Sequence, residues 1–75
     1  MIHELDIVVL NRDMPYENLK MGDVGTVVHS YTDGKAFEVE FLTAKGKTIA
    51  LLTLNEQAIR PIYHKEILHV RALAA

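Results

Sequence analysis

Apolar and polar residues alternate most strictly at residues 36–41 (AFEVEF). Phe37, Val39 and Phe41 share one face there, and Glu38 and Glu40 occupy the other. A period of two is the signature of a strand with one buried and one wet face, so this stretch is predicted as a strand. Upstream of it, residues 32–35 (TDGK) supply Asp33-Gly34, a strong hairpin signal. The partner strand is predicted over about residues 24–31, opening with the β-branched Val24, Thr26, Val27 and Val28. Downstream, the reversal at residues 43–47 (TAKGK) leads into residues 48–54 (TIALLTL). Two successive hairpins make a three-stranded meander.

Two further strands flank it. Residues 6–10 (DIVVL) are a short β-branched run, predicted as strand one. Residues 11–20 form a polar loop broken by Pro15, whose fixed φ and missing N–H suit neither a central strand nor a helix interior. Met14, Tyr16 and Leu19 in this loop either fold back over one end of the domain or present a binding loop. In residues 19–28 (LKMGDVGTVV), Gly22 and Gly25 bracket Asp23 and Val24, and a tight glycine turn is predicted there, feeding the second strand. Residues 55–58 are read as a one-turn link and residues 59–63 as a last strand, with Pro61 at an edge. Five short strands, a long first loop and a one-turn link predict an all-β, SH3-like barrel over residues 1–63.

Residues 64–75 form a tail in which Glu66, Leu68, Arg71, Ala72, Leu73 and Ala74 favour helix, whereas residues 67–70 (ILHV) suit a strand. The barrel is expected to close without them. Their apolar side chains are therefore expected to cover one mouth of it or to meet another chain, which makes the tail a candidate for self-association.

Composition narrows the function. At 75 residues the chain is one domain, burying about 60–65% of its unfolded surface. Its longest unbroken apolar runs are four residues, against the roughly 20 that span a bilayer. Residues 1–6 (MIHELD) lack a basic region followed by an apolar block, so no secretory leader is expected and the cytoplasm follows as the predicted address. The chain has no cysteine, which removes disulfides, iron–sulfur sites and thiol catalysis. A net charge of −2 argues against binding driven by phosphate neutralisation.

Candidate chemistry is sparse. His3, His29, His64 and His69 show no recognised metal-ligand spacing, and neither a metal nor another cofactor is expected. Glu38 and Glu40 stand two residues apart, a spacing that places two carboxylates side by side, but on a strand whose other face is core they read as a solvated face. Asp23 and Asp33 have backbone reasons to stand in turns, as do Gly22, Gly25 and Gly34. No Ser–His–Asp arrangement, phosphate-cradling loop or nucleotide fingerprint occurs, so no enzyme is expected. Residues 22–27 fit G-x-x-G-x-V, a pattern similar to the KOW motif of ribosomal and transcription-factor barrels. Asp23 inside the turn, with only Lys20 flanking it, departs from the basic surround of such binders.

A resemblance covers nearly the whole chain. Residues 6–10 (DIVVL), 19–28 (LKMGDVGTVV), 37–41 (FEVEF), 46–54 (GKTIALLTL) and 59–61 (IRP) look like the small bacterial family catalogued as domain of unknown function four-nine-two-six. The resemblance implies a stand-alone chain encoded, in some members, beside small toxin-like proteins, and hence an antitoxin or immunity role. It carries over no catalytic residue. The glycine turn and the Phe-x-Val-x-Phe strand are also distantly similar to the C-terminal barrel of the nitrile hydratase β subunit, which implies fold and not catalysis.

The function expected from these readings is a non-catalytic, cytoplasmic protein-binding module, an antitoxin or accessory protein. Its expected partner-binding residues are Asp33, Glu38, Glu40 and Tyr16. A KOW-like nucleic-acid binder using Lys20, Lys45, Lys47 and Arg60, or a structural subunit stabiliser, is the alternative.

Overall fold

The computed structural model describes residues 1–73. Five strands form one antiparallel sheet: β1 (Ile7–Leu10), β2 (Val24–Ser30), β3 (Ala36–Leu42), β4 (Thr48–Asn55) and β5 (Ile59–Pro61). Their spatial order is β4-β3-β2-β1-β5. The meander β2-β3-β4 follows from its two hairpins, and Gly34 (φ +70°) and Gly46 (φ +84°) take the left-handed conformation those turns need.

The alternation of β3 is the backbone of the core. Phe37, Val39 and Phe41 are at most 3% exposed, and they pack with Val8, Leu10, Val27, Leu54 and Ile59. Leu54 and Ile59 come from the two edge strands yet share this core, so the sheet is curled around it. The curl stops short of closure: β4 and β5 are not hydrogen-bonded to each other. The expected all-β, five-stranded fold is present, as one curled sheet whose ladder is left unclosed.

Two bulges help the sheet bend, one between Val27 and His29 on β2 and one at the Phe41–Leu42 step against β4. In the loop between β1 and β2, Leu19 is buried in the core and Met14 packs against it, the two joined by an isolated bridge. Tyr16, in the 3-10 turn Pro15–Glu17, is fully exposed. Two of the three apolar loop residues thus fold inward, and the third does not. The link before β5 is one hydrogen-bonded turn, with Asn55 accepting from the amides of Gln57 and Ala58.

The glycine pair divides. Gly22 (φ +96°) makes the turn, with its amide donating to Leu10. Gly25 lies inside β2, opposite Val8, and is no turn residue. A Cβ there would meet Val39 Cγ1 at 2.7 Å and Phe41 Cε1 at 2.9 Å, so it is a close-packing glycine. The last strand also ends earlier than expected, at Pro61, and residues 62–73 are neither helix nor strand. The final two residues assigned to the tail lie outside the described ones.

Candidate functional surface

The outward side of the curled sheet carries the acidic residues singled out above. Strand register sets Ile7, Thr26, Glu40 and Leu51 in one row across β1, β2, β3 and β4. The next row holds His29, Glu38 and Thr53. Because Cα partners in a ladder face the same side, Glu38 and Glu40 stand between hydroxyls and aliphatics. Ile7 and Leu51 are more than half exposed, and Leu42 is 45% exposed.

Both carboxylates are held by neighbours. Glu38 accepts from the hydroxyls of Tyr31 (3.2 Å) and Thr53. Glu40 accepts from the Thr48 hydroxyl at 2.8 Å. Tyr31 in turn packs edge-on against the His29 ring, with centroids 4.9 Å apart, and its phenol pKa is raised because donation to Glu38 favours the protonated form. These contacts fix the orientation of both carboxylates on the outer face. Neither glutamate lines either of the two clefts described for the molecule.

Asp33 and Tyr16 do not join this group. Asp33 accepts from the Lys35 amide at 2.8 Å within the β2–β3 turn. Tyr16 stands in the loop that precedes β2. The seven-residue β2 separates the two loops by on the order of 20 Å, so the four expected partner residues reduce to one pair, Glu38 and Glu40. Among the described residues, no group of three or more His, Asp or Glu side chains is placed to hold a metal ion.

A second feature escaped the sequence reading. After Pro61 the chain turns at Tyr63, whose carbonyl accepts from the Glu66 amide, while the Glu66 carboxylate receives both Arg60 guanidinium nitrogens at 2.7 and 2.6 Å. Arg60 also lies over the Tyr63 ring at 5.0 Å. Farther on, Arg71 grips Asp23 with two nitrogens, at 2.8 and 2.5 Å, and donates to the Asn18 carbonyl at 3.1 Å. Arg60, Val9 and the Asp23 neighbour Val24 form one row across β5, β1 and β2. Residues 66–71 therefore tie β5 to the loop before β2 as a strap.

The strap's first anchor, Arg60, flanks Val9 in the strand register. Val9 is 6% exposed but belongs to no part of the main core, because it faces outward between Arg60 and Val24. The strap's own Ile67, Leu68 and Val70 remain at least 70% exposed, so it is fastened without burying its own aliphatics. Its ion pairs set the local electrostatics. Donation from Arg71 holds the Asp23 carboxyl below its ordinary range, and donation from Arg60 and the Tyr63 amide takes Glu66 down to about 2. The basic set proposed for nucleic acid loses Arg60 to Glu66.

The fold and its acidic face now have a family context, since one family model matches residues 4–61. The chain belongs to the family described as Domain of unknown function (DUF4926). No curated protein and no solved structure matches it. The DUF4926 match ends with β5, so the five strands and the Glu38–Glu40 face lie within it and the strap lies outside.

Proposed function

We propose that this DUF4926 chain is a non-catalytic protein-binding module whose docking face is the outside of β2, β3 and β4, and whose partner presents a basic surface. The observation that supports it is the pair Glu38 and Glu40, oriented by Tyr31, Thr53 and Thr48 and flanked by the exposed Leu51 and Ile7. An acidic centre with an aliphatic rim steers a cationic partner and then gains from burial. Surface is available for it. The molecule exposes 5728 Å², and one side of a standard interface takes about 800 Å².

Such a module acts by occlusion, covering a basic active site, and the corresponding biological role is that of a bacterial antitoxin, immunity or accessory protein working in the cytoplasm. Among the described residues no helix is long and apolar enough to cross a membrane.

The test is affinity capture from native cell extract with nuclease present, comparing wild type with the Glu38→Lys, Glu40→Lys double variant. One stoichiometric protein held by the wild type and lost from the folded double variant supports the reading. Equal recovery by both, or recovery only of nucleic-acid-associated proteins without nuclease, refutes it.

A further inference from the structure

The strap sits on a groove whose chemistry its own residues disclose. At the start of β2 the Asp23 carboxylate is 17% exposed and accepts from the Lys20 amide as well as from Arg71. The Asn18 carbonyl beside it takes another Arg71 nitrogen. A planar guanidinium that satisfies a carboxylate with two nitrogens and a carbonyl with one of them is a fork-shaped fit that a lysine ammonium does not reproduce. Next to this polar end lies a cleft of about 430 Å³, walled on one side by Leu19, Val24, Leu42 and Ile49 and on the other by the tail's own Val70 and Leu73. The tail residues at its rim fill it poorly: Val70 is 90% exposed and Leu73 40% exposed. The arginine is well matched to its seat, and the aliphatic neighbours are not.

We propose that this groove is a recognition site for an extended segment of a partner protein that carries an arginine beside a large apolar side chain, and that the chain's own tail occupies it until such a segment displaces it. Charge complementarity at Asp23 selects the arginine, and the unfilled apolar cleft selects the neighbour. The tail is a competitor by construction. It is tethered, so its effective concentration is of millimolar order, and an incoming segment wins by filling the volume that Val70 and Leu73 leave open. The site is distinct from the Glu38–Glu40 face, and neither proposal depends on the other.

Peptides measure this directly on the full chain. The probes are the tail sequence Glu-Ile-Leu-His-Val-Arg-Ala-Leu, a version with Phe replacing its Val, and a version with Ala replacing its Arg. The proteins are the wild type and Arg71→Ala, in which the tail lets go of Asp23. The tail peptide is expected to bind Arg71→Ala with a Kd at least about tenfold below that for wild type, which is the factor for a groove open no more than a tenth of the time. The Phe peptide is expected to bind tighter than the tail peptide, and the Arg-less one not to bind. Binding that ignores the peptide's arginine, or no binding to a folded Arg71→Ala chain, overturns the proposal. If Arg71→Ala fails to fold, amide resonances of the labelled wild type decide. The Phe peptide at about millimolar concentration must shift Lys20 and Asp23, and unmoved resonances overturn the proposal. A concentration-dependent dimer of the wild type that the Arg71→Ala substitution abolishes also overturns it, in favour of tails exchanged between two copies.

Discussion

Adding one methyl group at Gly25 tests the packing logic of the sheet. The new Cβ would stand 2.7 Å from Val39 Cγ1, 2.9 Å from Phe41 Cε1 and 3.0 Å from the Glu40 carbonyl oxygen. None of these atoms yields easily, because Val39 and Phe41 are at most 1% exposed and the carbonyl is fixed in a ladder. Overpacking of this kind costs about 1–3 kcal/mol, while removing a glycine from the unfolded chain returns about 0.4–1 kcal/mol. The net is a loss of roughly 1–2 kcal/mol, which at about 4–8 °C per kcal/mol lowers Tm by on the order of 5–15 °C in a domain of this size. Thermal unfolding followed by circular dichroism reads it. Gly34→Ala is the control: no heavy atom lies within 4 Å of its added Cβ, so only the positive φ of +70° penalises it, by about 1 kcal/mol. Because Val39 is the nearest obstacle, Gly25→Ala combined with Val39→Ala is expected to cost less than the sum of the two. A Gly25→Ala chain that melts at or above wild type, or strictly additive costs in the double variant, refutes the close-packing account.

Two further outcomes follow from the strap. Val9→Ala is expected to destabilise by about 1–2 kcal/mol, the transfer value of two buried methyl groups, and by less in an Arg71→Ala background, as urea titration of the four chains will show. Stability is also expected to fall with acid. Asp23 and Glu66 have folded pKa values below their unfolded ones, so their contribution is complete above the ordinary carboxylate range, declines as pH falls through it, and for Glu66 is gone only below about 2. Melting curves between pH 6 and pH 2 should show that decline shrink when both arginine partners are replaced, in the Arg60→Ala, Arg71→Ala chain; an unchanged decline refutes the assignment.

The parts of this fold legible in the sequence are those governed by local rules. The alternation through Phe37, Val39 and Phe41 fixed the core face of β3, and Asp33-Gly34 located the hairpin, because a period of two and a two-residue turn are written within a few positions of each other. The Gly22–Gly25 pair misled because the two glycines look alike in sequence. One answers a backbone angle and the other a pair of side chains on the next strand. Of the four residues expected to act together, β3 sets Glu38 and Glu40 side by side, whereas Asp33 and Tyr16 belong to loops at opposite ends of β2. The Asp23–Arg71 clasp joins residues 48 apart, and no local pattern encodes it.

One signal for the burial of Val9 was nevertheless present. Residues 7–10 (IVVL) do not alternate, and an unbroken apolar run is what a strand shows when both of its faces are covered. A curled sheet with one core covers only the face of Val8 and Leu10, so the burial of Val9 lies apart from that core, on the face where Arg60 and Val24 flank it. The family match ends at Pro61, before the strap begins. Beyond the matched strands this protein fastens its tail back onto the sheet through two arginine–carboxylate clasps. A segment fastened by two ion pairs, with Ile67, Leu68 and Val70 left unburied, is held more weakly than a packed strand would be, because exposed aliphatics contribute little and solvent screens the ion pairs. Weak fastening at Asp23, beside the cleft of Val24, Leu42 and Ile49, is the property that the proposed displacement by a better-fitting segment requires.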